Sequence, residues 1–130
     1  MTTTDAIDTM IKNVEAEAEA VWEIVETAGR DVAAKNAASD RYSFLAAMHE
    51  ALIATRKGFG SGVTIDTMIH EAKAALLDAE FEVKQAARAL EIAQAADRVT
   101  GEDRRRVAKA DAHLIEARGR LAGVMRVAGN

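Results

Sequence analysis

Apolar residues recur at alternating intervals of four and three along almost the whole chain. Ile7, Ile11, Val14, Ala18, Val21, Val25 and Ala28 follow this rule without a gap. So do Ile65, Ile69, Ala72, Leu76, Ala79, Val83, Ala86, Leu90 and Ala93, and then Val107, Ala110, Leu114, Ala117, Leu121, Val124 and Ala128. Spacing of this kind gathers apolar side chains into one stripe of an α-helix, the seam of a heptad pattern. None of the 130 residues is proline, so the commonest helix breaker is missing. The pattern predicts an all-α fold in a single domain: an elongated three- or four-helix bundle.

Local signals divide that domain. Residues 1–57 hold the N-terminal helices, 58–63 a glycine-rich link, and 64–128 a long helical hairpin. Thr4 or Asp5 is suited to open the first helix and Gly29 to stop it. A second helix, capped by Ser39 or Asp40, carries Leu45, Met48, Leu52 and Thr55 and ends near Lys57. Residues Gly29–Asp40 read equally as a connector or as helix. Gly-Phe-Gly-Ser-Gly at 58–62 is the clearest break. Thr64 then caps the third helix, which extends to about Arg98, and Thr100–Asp103 forms a capping-box variant before the fourth. The pentapeptide Ile-Asp-Thr-Met-Ile occurs at 7–11 and at 65–69. Identity is lost immediately beyond it, so it reads as one helix-opening phrase used twice, with Asp8 and Asp66 near the positive end of a helix dipole.

Alanine supplies 29 of the residues, while aromatics are only 4%. In the last two seams alanine alternates with larger residues. A short connection forces those helices antiparallel, and the alanines allow close backbone approach. The arrangement resembles the Ala-rich antiparallel pairing known as an Alacoil, a packing class that implies no activity. The third segment also carries Leu77, Phe81 and Ile92 opposite its seam, at about 100° per residue. A helix apolar on two sides is either central in its own bundle or an interface, and these three residues are the candidate self-association face.

Sites of chemistry are hard to build from this chain. It has no cysteine, which removes disulfides and thiolate ligands. Ala46, Thr67 and Ala110 stand three positions before His49, His70 and His113, so no Glu-x-x-His di-iron pattern exists. No Gly-x-Ser-x-Gly elbow occurs, and the glycine cluster lacks the Gly-Lys-Ser/Thr of a phosphate loop. These features predict no enzyme, no cofactor and no metal. Phe59, flanked by glycines, is the candidate partner loop.

Charge is unevenly placed. Residues 1–83 carry 7 basic and 15 acidic side chains, residues 84–130 carry 10 and 6. Arg104, Arg105, Arg106 and Lys109 form the densest basic cluster and the candidate polyanion contact. Three consecutive arginines fan over about 200° of a helix, and no aromatic reader accompanies them, which disfavours nucleic acid.

The N-terminus lacks the basic cap and apolar run of a signal peptide, and no apolar stretch reaches the ~18 residues of a membrane span. The expected setting is the cytoplasm or the interior of an assembled particle. The expected function is structural: a helical subunit that packs against copies of itself or other proteins, as in a viral or phage particle component. The alternative is a regulatory module that contacts nucleic acid or a protein through the basic cluster or the Phe59 loop.

Overall fold

A computed structural model describes residues 3–62 and 64–129, except for the side chains of residues 59–61. The described residues form four helices: α1 (Thr3–Thr27), α2 (Val32–Ser61), α3 (Ile65–Ala95) and α4 (Gly101–Val127). The fold is therefore an all-α bundle containing a long helical hairpin, as the heptad spacing predicts. No described helix is long and apolar enough to cross a membrane.

The helix boundaries follow capping chemistry. Gly29 leaves α1 with φ +60°, a left-handed conformation that glycine tolerates. Asp31 then caps α2, its Oδ1 accepting from the Ala34 backbone N–H at 3.0 Å. Thr64 accepts from the Thr67 N–H at 3.2 Å at the start of α3. Before α4, the Thr100 hydroxyl accepts from the Asp103 N–H at 3.2 Å while the Asp103 carboxylate accepts from the Thr100 N–H at 2.9 Å.

Three expected boundaries move. Thr3 is already helical, so neither Thr4 nor Asp5 is the first cap. Of the two readings of Gly29–Asp40, helix holds from Val32: Asp31 supplies the cap in place of Ser39 or Asp40, and Ala33, Ala34, Ala37 and Ala38 favour helix strongly. It also passes through Gly58 to Ser61 and stops at Gly62, φ +83°. An interior glycine costs a helix only about 1 kcal/mol, and Gly58 is buried. The anticipated 58–63 link thus shrinks to a turn after α2.

The helices pack in the spatial order α1, α2, α4, α3. Between α1 and α2, Val14, Leu45, Met48 and Leu52 form the buried cluster, joined at its margin by Met10, Ile11, Ala18, Val21 and Phe44 and by Ala122 and Val127 of α4. Between α3 and α4 the buried line is alanine but for one valine: Ala72, Ala79 and Ala86 on α3, with Ala110, Ala117 and Val124 on α4. Each set steps by seven residues, and the antiparallel register sets Ala79 beside Ala117. The larger seam residues Ile69, Leu76, Val83 and Leu90 are only half-buried. Small residues define the contact plane and large ones close over its margins.

The α2–α4 contact is parallel and unusually close. A Cβ on Gly123 would lie 2.8 Å from the Met48 carbonyl oxygen and 2.9 Å from the Ala51 Cβ. One on Gly119 would overlap the Phe44 carbonyl oxygen and lie 2.9 Å from the Ala47 Cβ. Glycines four apart on one helix meet alanines four apart on the other, and the backbones come together because no side chain separates them.

Candidate interaction surface

The spatial order leaves α1 and α3 at the edges, each packed chiefly on one neighbour. What α3 presents on its free side follows from its sequence. Its alanine line faces α4, so residues half a turn away face outward. Leu77 is 66% exposed, Phe81 62% and Ile92 62%. The three predicted residues thus share one uncovered face of α3. Arg88 lies between Phe81 and Ile92 on that side, also exposed.

The total surface fits this openness. A compact monomer of 13.9 kDa exposes ~6,700 Å², whereas this chain exposes 8587 Å². The excess of about 1,900 Å² exceeds the ~800 Å² that one partner contributes to a standard interface.

The other edge is built differently. Asp8 pairs with Arg56 at 2.7 Å and Glu15 with His49 at 3.1 Å. Trp22 lies against Tyr42, ring centroids 5.0 Å apart. Each step moves seven residues forward on α1 and seven back on α2, so the three pairs form one ladder along the antiparallel seam. Glu17 and Arg41 add a pair at 2.6 Å on a different register. The acidic flank of α1 is thereby tied partly to α2. Between the ladder and the core runs an open groove lined by Ala18, Trp22, Tyr42, Leu45 and His49.

Two of the three histidines face carboxylates. His113 Nδ1 sits 3.1 Å from the Glu82 carboxylate across the α3–α4 seam. His49 Nε2 sits 3.1 Å from the Glu15 carboxylate across the α1–α2 seam. Among the described residues, no three histidine, aspartate or glutamate side chains are placed to hold a metal ion. Thr55, 1% exposed, donates to the Ala51 carbonyl at 2.7 Å, so its burial is satisfied within its own helix.

Arg104, Arg105, Arg106 and Lys109 are all exposed in the first half of α4. None pairs with a carboxylate of the described residues. The acidic flank of α1 does not reach this cluster, because α2 lies between α1 and α4. The backbone of Phe59 belongs to the end of α2, so it is not carried on a loop; its side chain lies outside the described residues.

Sequence reasoning missed the Gly119–Gly123 contact and the ladder. The glycine spacing was a usable signal for the first. For the second, the signal was a charged or aromatic residue every seven positions beside each seam.

Comparison with family models, curated proteins and solved structures finds no match to this chain.

Proposed function

We propose that this protein is a non-enzymatic helical subunit that associates with copies of itself through the outer face of α3. The observation that carries this reading is the exposure of Leu77, Phe81 and Ile92 together on one side of an edge helix. Exposed apolar side chains scattered singly are ordinary, but a contiguous patch marks an interaction site. The surplus surface supports the same reading, since an open helical array gains most by covering its edges. A component of a larger particle, such as a viral or phage assembly, is one setting in which such a subunit works.

Sedimentation across a concentration series tests the reading. Association of the wild-type chain, lost in Phe81→Asp with unchanged helical content, is the expected result. A wild-type monomer at high concentration sinks it.

The second reading, a module that binds a polyanion, draws on the exposed and unpaired Arg104, Arg105, Arg106 and Lys109. Nucleic-acid binding that weakens with salt and disappears on replacing the three arginines by alanine favours this reading.

A further inference from the structure

The outer face of α3 carries a charge order that specifies how a second copy meets it. Lys73, Glu80, Lys84 and Glu91 follow one another at intervals of seven, four and seven residues. At about 100° per residue they form one stripe beside Leu77 and Phe81. Lys73, Lys84 and Glu91 are exposed and Glu80 is half-buried. None of the four has an ion-pair partner among the described residues. The signs alternate, and the order is antisymmetric: Lys73 and Glu91 lie equally far from position 82, as do Glu80 and Lys84.

We propose that two copies pair through α3 in antiparallel fashion about a two-fold axis near residue 82, with Glu80 of each chain facing Lys84 of the other and Lys73 facing Glu91. This rests on the self-association reading above and adds partner orientation and register to it. A two-fold axis perpendicular to both helices carries a residue to the same flank of the partner at the mirrored height. Both charge pairs share one midpoint, so a single axis satisfies all four contacts at once. Phe81 is one residue from that axis and meets its own copy, with Leu77 and Ile92 further out along the contact. Arg88 lays its aliphatic stem along this apolar face and turns its guanidinium to water.

A parallel pairing leaves the stripe unused. An axis along the helices carries it to the opposite flank of the partner, so its four charges do not meet one another. The outer face of α1 is a poorer self-partner, because Glu19, Glu23 and Glu26 would meet acidic copies of themselves. The α3 pairing is isologous and closed, so both apolar patches are covered without an open chain of subunits.

Charge reversal tests orientation separately from association. In the antiparallel pair, Glu80→Lys or Lys84→Glu turns two attractions into two repulsions and weakens the dimer about tenfold. The double variant Glu80→Lys/Lys84→Glu restores opposite charges and brings the dissociation constant back towards wild type. Sedimentation equilibrium reads all four proteins, and circular dichroism checks that each stays helical. A wild-type chain that remains monomeric overturns both this proposal and the self-association reading. A wild-type dimer indifferent to the single reversals, or one not restored by the double, overturns the antiparallel register and leaves self-association standing.

Discussion

Gly123 of α4 lies so close to Met48 of α2 that an added Cβ would sit 2.8 Å from the Met48 carbonyl oxygen. Alanine is normally the better helix residue by about 1 kcal/mol. Here the sign reverses, because the new methyl group must push two backbones apart. Gly119→Ala and Gly123→Ala are each expected to lower stability by roughly 1–3 kcal/mol. Gly101→Ala is the control: its Cβ would meet only the Arg105 Nη1, at 3.7 Å, so it should be neutral or stabilising. Thermal unfolding of the three variants checks the contrast.

The ladder between α1 and α2 combines two kinds of interaction that salt separates. Asp8 and Arg56 are both substantially exposed, so their coupling should be about 0.2–1 kcal/mol and should fade as salt rises. Trp22 and Tyr42 should couple by about 0.5–1.5 kcal/mol, with little response to salt. Double-mutant cycles to alanine, run at low and high ionic strength, measure both. An aromatic coupling that collapses in salt would contradict the packing origin assigned to it.

The 4-3 spacing located the three long seams because burial follows the heptad directly: Ile7 and Val14 on α1, and Ala72, Ala79 and Ala86 on α3, are buried where the pattern puts them. The outward position of Leu77, Phe81 and Ile92 was legible by the same geometry. Spacing within one helix does not reveal which other helix it meets. The α2–α4 contact was therefore invisible, although Gly119 and Gly123 stood in plain sequence. The start of α2 was misplaced because Asp31 is a cap as suitable as Asp40, and its helix lacks an apolar stripe in the first turns. Gly58 looked like a break because propensity is local, whereas its burial is set by the whole bundle.

Leu45 and Leu77 make a direct comparison of core and surface. Leu45 is fully buried, and Leu45→Ala should cost about 2–5 kcal/mol through lost burial and the cavity left behind. Leu77→Ala alters the same atoms on an exposed face, and within one subunit its effect should stay within about 0.5 kcal/mol. Association adds a distinguishing feature. If copies pair through α3, the wild-type melting temperature rises with protein concentration, and Leu77→Ala flattens that rise. Leu45→Ala lowers the whole curve while keeping its slope. Melting curves over a hundredfold concentration range separate the two behaviours.

The two ends of α4 predict opposite outcomes for one substitution. Arg104 follows the capping box at the positive end of the helix dipole, whereas Arg126 occupies the last turn at the negative end. Neither guanidinium has an ion-pair partner among the described residues. Arg104→Gln removes an unfavourable charge and should stabilise the protein; Arg126→Gln removes a favourable one and should destabilise it. Each effect should be about 0.3–1 kcal/mol at low ionic strength, with Arg104 at the lower end because it sits just past the first turn. Both should shrink in high salt, as exposed charges are screened over a few ångströms. Denaturant unfolding at low and high salt provides the measurement. A loss of stability in Arg104→Gln that persists in salt would mean that this arginine makes a packing contact, and would count against its being free for a polyanion.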